Sequence, residues 1–150
     1  MPVTMKQVRA ALDPDEVDYA AAARLGPDAF PHLETLVAGD DPGLAAKAAY
    51  LAGRIRDERS AGVLERAAAN RDARVRVAAA AAARDLPADA ASRILTNLVL
   101  DADAGVQKLA LGSVPDRASP ELRATLERLS RTARNTALRT MSKDVLRRLP

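Results

Sequence analysis

Between residues 41 and 55 the apolar positions 44, 48, 51, 52 and 55 recur at the spacing of one face of an α-helix. Asp41 precedes them as an N-cap, where its carboxylate can accept bonds from the free N–H groups of the first turn. Pro42 then takes the first helical position, where its missing donor costs nothing. After a polar turn at 56–60, the inward positions 64, 67 and 68 predict a second helix, and "ANRD" (69–72) leads to another Asp. The pattern is therefore a helical hairpin, and it recurs. Asp41, Asp72 and Asp103 stand 31 residues apart. So do four columns of small or apolar residues: Leu44/Val75/Val106/Ala137, Ala48/Ala79/Ala110/Met141, Leu33/Leu64/Leu95/Leu126 and Leu36/Ala67/Leu98/Leu129.

A fixed interval of this length is the signature of stacked repeats, each burying its apolar face against its neighbours. The prediction is all-α: a right-handed α-solenoid of about five helical hairpins. Helices are expected near 5–12, 15–25, 28–38, 42–55, 60–69, 73–85, 88–100, 104–113, 120–132 and 136–148. One repeat domain is expected over residues 1–150. It would have an irregular N-terminal unit to about residue 40, repeats at 41–71, 72–102 and 103–133, and a capping helix from 134. On that last helix Leu138, Met141, Val145 and Leu149 are expected on the packed face.

Composition strengthens this picture. Hydrophobic residues make up 48% of the chain but aromatics only 2%, so the core depends on close backbone approach, which alanine allows while favouring helix. There is no cysteine, which excludes disulfides, thiolate metal sites and cysteine nucleophiles and agrees with a cytoplasmic location. No run approaches 18 uncharged apolar residues, so neither a membrane span nor a membrane partner is expected.

The best-conforming stretches, "DARVRVAAAAAARDL" (72–86) and "GDDPGLAAKAAYLAGRIRDERSAGVLERAAA" (39–69), resemble HEAT repeats, in particular the short bacterial kind named after phycobilisome lyases. The resemblance covers roughly residues 13–149. In such repeats an Asp at the first helix and an Arg one turn later help to link neighbouring units. Here that pair would be Asp72 and Arg76, with Ala45 and Gln107 at the equivalent positions of Arg76. The fold serves adaptors, lyases, hydroxylases and DNA-repair enzymes alike, so function must be argued from sites.

The residues offer little for familiar chemistries. His32 is the only histidine, and with Glu34 it cannot reproduce the repeated His-Glu pairs of HEAT-type iron hydroxylases. The serines at 60, 92, 113, 119, 130 and 142 read as caps or helix-surface residues, and none lies in a G-x-S-x-G elbow. Without Trp, and with Tyr19 and Tyr50 on alanine-rich helices where core packing or a rim position is expected, the base-stacking equipment of DNA-repair relatives is missing. No catalytic, cofactor or metal residue is therefore expected.

Partner residues are expected on the second helices, taken to line the concave side: Glu34, Thr35, Glu65, Arg66, Arg93, Asn97, Glu127, Arg128 and Arg131. Their mixed signs suit a protein surface better than a phosphate track. Charge also drifts along the chain, from net −4 over residues 1–40 to +4 over 101–150. This sets Arg134, Arg139, Lys143, Arg147 and Arg148 as a patch for an acidic partner. The sequence thus points to a non-enzymatic interaction module, monomeric, that binds a protein partner. The alternatives are a nucleic-acid-binding module and, behind it, a lyase-like or cofactor-handling enzyme.

Overall fold

The computed structural model describes residues 2–150, and among these every regular element is helical. The helices are α1 (Met5–Leu12), α2 (Tyr19–Ala22), α3 (Phe30–Val37), α4 (Pro42–Ile55), α5 (Ser60–Ala68), α6 (Ala73–Ala82), α7 (Ala88–Leu98), α8 (Ala104–Gly112), α9 (Pro120–Thr132) and α10 (Thr136–Arg148). Short 3-10 turns at Ala23–Leu25, Pro27–Ala29 and Ala83–Asp85 extend α2, α3 and α6. The first helices of the hairpins (α2, α4, α6, α8 and α10, the A helices) pack side by side. The second helices (α3, α5, α7 and α9, the B helices) form a parallel row behind them. The result is an α-solenoid.

The caps explain where the A helices begin. Asp41, Asp72 and Asp103 each accept a backbone N–H through the side chain, from Leu44, Arg74 and Val106 respectively, at 2.8–3.1 Å. The leucine column explains why the hairpins stack: Leu33, Leu64, Leu95 and Leu126 are all 0% exposed. Each such burial stabilises by about 1.5–3 kcal/mol. Between A helices the contacts are methyl-sized, with Ala48, Ala79 and Ala110 fully buried. At Gly53 even a methyl would crowd its neighbour, since an ideal Cβ there would lie 3.1 Å from Ala82 Cβ and 3.2 Å from its carbonyl oxygen.

The last helix forms over 136–148 as expected, capped by Asn135, whose side chain accepts from the N–H groups of Ala137 and Leu138. Of its expected packed face, Leu138, Val145 and Leu149 are buried and Met141 is half-buried against the core. The 31-residue columns slip by one residue here: Ala137 is exposed, and Ser142 takes the fully buried position beside Met141. The N-terminal helix expected from residue 15 begins only at Tyr19, behind the Asp18 cap. The serine expectation is also corrected. Ser60, Ser92, Ser113, Ser130 and Ser142 are buried, and all take part in hydrogen bonds. Ser60 Oγ donates to Ala52 O (2.7 Å) and accepts from Asp57 N, closing the α4–α5 turn.

The link between units is present in altered form. Asp72 pairs with Arg74, whereas Arg76 reaches Asp101 through two bonds (2.9 and 3.2 Å) and the carbonyls of Asn70 and Arg71. Gln107 donates to Val99 O one unit later. Arg139, displaced by the same one-residue slip, donates to the carbonyls of Ala133 and Arg134. Each of these side chains satisfies orphan carbonyls at or just past the end of the preceding B helix.

Candidate functional site

Tyr19 follows the Asp18 cap of α2, and Tyr50 lies one 31-residue interval later in the third turn of α4. The interval puts both on the outward face of the A row. Their rings meet at 5.7 Å between centroids, tilted by 50°, within the range of favourable aromatic pairs. The next positions in the series are Ala81 and Gly112, so the aromatic wall gives way to a notch. Tyr19, Tyr50, Arg54, Ala81, Ala82, Arg84, Asp85 and Leu109 line a depression of about 270 Å³ there, with contributions from four A-row segments.

The notch carries two guanidiniums, Arg54 and Arg84, and one carboxylate, Asp85, which faces Arg56 at 3.7 Å. Arg54 and Arg84 are exposed and have no carboxylate partner among the described residues. Burial pushes the Tyr19 phenol above its ordinary range, with Tyr50 adding to the effect. Burial likewise raises Tyr50, opposed by the positive charge of Arg84. Both phenols are therefore neutral at pH 7. Two aromatic rings, two free guanidiniums and an Ala/Leu floor together suit a flat conjugated molecule with negatively charged substituents. The volume falls below the roughly 300–1,000 Å³ of an enclosed ligand site. It can hold one edge of a larger flat molecule whose remainder lies outside it.

The B-row residues expected from the sequence lie on the surface as a mixed ridge. Glu34 is half-buried; Thr35, Glu65, Arg66, Arg93, Asn97, Glu127, Arg128 and Arg131 are exposed. Arg93 faces Glu65 at 3.9 Å, and Arg128 contacts Thr125 Oγ1 at 3.4 Å. The basic group is partly consumed: Arg139 binds carbonyls, Arg147 pairs with Asp144 (3.0 Å), and Arg148 faces Asp116 (3.9 Å). Arg134 and Lys143 are exposed and make no ion pair among the described residues. His32 anchors the N-terminal arm through Nε2 on Val3 O, 2.8 Å away. Among the described residues no group of three His, Cys, Asp or Glu side chains comes together to hold a metal, and no helix is long and apolar enough to cross a membrane.

Sequence reasoning missed the tyrosine–arginine notch. The signal was the interval itself, since Tyr19 and Tyr50 obey the same 31-residue step as the core columns while lying on the outer face.

No family model matches the chain, and comparison with curated proteins finds no match. Among solved structures, the complex of CpcE and CpcF of phycocyanin lyase from Nostoc sp. PCC7120 is similar to it. The TM-score is 0.74 at 21% identity, over 94% of this chain and 96% of the other. The overlay supports a helical-repeat fold of the phycobilisome-lyase type. It also corrects the functional expectation of a non-enzymatic module, with nucleic-acid binding as its alternative. The same architecture, along nearly its whole length, belongs to a lyase complex, so missing nucleophiles and metal ligands do not argue against enzymatic work. Holding reactants in a productive geometry accelerates a reaction with no nucleophile supplied by the holder.

Proposed function

We propose that this chain is a lyase-like, chromophore-handling subunit of the HEAT-repeat type that works with a second helical-repeat chain. The tyrosine–arginine notch carries the reading, on a fold that overlays a two-subunit phycocyanin lyase. Tyr19 and Tyr50 stack against the conjugated system, Arg54 and Arg84 hold its negative substituents, and Ala81 and Leu109 leave room for its edge. With no cysteine, and its one histidine tied to Val3, the chain binds, orients and covers. The bond-making groups belong to the chromophore and its acceptor protein. The small volume of the notch favours a site completed by the partner chain. The end units, residues to about 40 and from 134, serve as caps that stop further stacking. A cytoplasmic location goes with this reading.

The test is an absorbance titration with the free chromophore released from phycocyanin. The wild-type chain should shift and sharpen the visible band. Tyr50→Ala or Arg84→Glu should weaken binding by about tenfold or more, the equivalent of ~1.4 kcal/mol. Arg134→Glu should bind as the wild type does. A wild-type chain that leaves the spectrum unchanged, or that binds no better than Tyr50→Ala, overturns the proposal.

A further inference from the structure

Among the described residues that line the tyrosine–arginine notch, Asp85 is the one carboxylate, and it is left without a donor. Its Oδ1 faces Arg56 at 3.7 Å, beyond hydrogen-bond range, and neither oxygen accepts a hydrogen bond among the described residues. The Arg56 side chain is 72% exposed, so solvent weakens the attraction that remains. Three other carboxylates of comparable shelter are firmly held. Asp57, Asp72 and Asp101 have 17%, 28% and 10% of the side chain exposed, against 20% for Asp85. Asp57 accepts from the backbone N–H and Nε of Arg59 at 2.9 Å, and Asp72 from the backbone N–H and Nη2 of Arg74 at 2.8 and 2.9 Å. Asp101 accepts from Arg76 Nε and from the backbone N–H of Asp103, both at 2.9 Å. A sheltered carboxylate with open acceptor sites calls for an explanation.

Its surroundings supply one. Asp85 closes the 3-10 turn Ala83–Asp85 after α6, and its carboxylate lies against the last turn of α4 at Gly53. Gly53 has no side chain to cover it: a Cβ there would sit 3.6 Å from Asp85 Oδ2. Gly53 is about one helical turn from Tyr50 and adjacent to Arg54. The open acceptor thus stands beside the ring and the guanidinium that give the notch its character.

We infer that Asp85 accepts a ring N–H of the bound molecule, an inference that deepens the chromophore reading and rests on it. The ligand class is thereby a conjugated nitrogen heterocycle. Its acidic substituents lie on Arg54 and Arg84, its flat face on the tyrosines, and at least one ring N–H on Asp85. The charges of the site select this donor over others. A metal ion or an ammonium group at Asp85 would enter among the guanidiniums of Arg54, Arg56 and Arg84 and be repelled by all three. A ring N–H brings no net charge, and its bond to a carboxylate is roughly twice as strong as one between neutral groups. That bond also fixes which edge of the ring turns toward α6.

Carbazole-3-carboxylate and dibenzofuran-2-carboxylate test this. Both are flat, conjugated and anionic, and a ring oxygen in the second replaces the N–H of the first. In fluorescence titrations the wild-type chain should bind the carbazole at least about tenfold more tightly. Asp85→Ala should bring the two within about twofold of each other, and Asp85→Asn, which keeps a neutral acceptor, should retain part of the preference. Arg56→Ala removes the ion-pair partner but not the acceptor, so it should keep the full preference. Thermal melting checks that the variants fold. Equal binding of the two probes by the wild type, binding of neither, or a preference that survives in Asp85→Ala overturns the inference. So does loss of the preference in Arg56→Ala, which would mean that the carboxylate serves the fold rather than the ligand. The titration with the free chromophore uses neither probe, so the parent reading stands or falls separately.

Discussion

Replacing Arg76 with Met keeps the bulk of the side chain and removes its donors. In the native fold those donors satisfy both oxygens of Asp101 and the carbonyls of Asn70 and Arg71 at 2.9–3.2 Å. Asp101 also accepts the N–H of Asp103, so a single guanidinium ties together the loops that precede α6 and α8. The pair is mostly sheltered, with 20% and 10% of the two side chains exposed. Breaking a fully buried pair costs about 3–5 kcal/mol, because the surviving charge is left without a partner. Residual solvent access discounts that here to ~2–4 kcal/mol. For a chain of this length the loss lowers the melting temperature by ~5–15 °C. Gln107→Ala is the internal comparison: it occupies the same place one unit later, holds one carbonyl, and should cost ~0.5–1.5 kcal/mol. Urea unfolding followed by circular dichroism measures both. A double-mutant cycle with Asp101→Asn should return a coupling of ~1–3 kcal/mol. If Arg76→Met costs no more than Gln107→Ala and the cycle shows no coupling, the account of how units are joined is wrong.

Three further outcomes are expected. Leu95→Ala, in the fully buried leucine column, should cost ~2–5 kcal/mol in the same unfolding assay, whereas Leu100→Ala, 52% exposed, should cost under ~0.5 kcal/mol. Gly53→Val should destabilise despite glycine's poor helix propensity, by ~1–3 kcal/mol, because its side chain would enter the 3.1–3.2 Å contact with Ala82; a stabilised variant would disprove the close approach of α4 and α6. Tyr19 and Tyr50 ionise above their ordinary value of 10.0 in the folded state, so the unfolded chain loses those protons first. Their contribution is complete below pH 10.0 and is lost as pH rises through the folded values, and Tyr50→Phe should reduce that alkaline loss; a phenolate absorbance titration at the ordinary value would contradict it.

Much of the fold was legible because it is periodic. Leucine at 33, 64, 95 and 126 and aspartate at 41, 72 and 103 specify burial and helix starts directly, and the structure places both as expected. The periodic columns slip only at the C-terminal end, where one extra residue in "RTARNTALRT" leaves Ala137 exposed and puts Ser142 rather than Met141 at the fully buried position, while α10 and its buried Leu138 lie where helical spacing put them. The candidate site was harder to read. Charge invites attention to exposed Glu and Arg on the B row and to the C-terminal arginines, yet Arg139, Arg147 and Arg148 are occupied within the fold. The tyrosines were expected in the core or at a rim, and they are half-buried; their pairing shows only once the neighbouring unit is seen to carry the second ring.

The most direct test of the central claim, that the A-row notch is where the chromophore docks, is residue-resolved NMR of the labelled chain titrated with the free chromophore from phycocyanin. Shifts concentrated at Tyr19, Tyr50, Ala81, Arg84 and Leu109 are the expected result. Shifts confined to Glu65, Arg66, Asn97 and Arg128 on the B row, with the tyrosines unmoved, would contradict it.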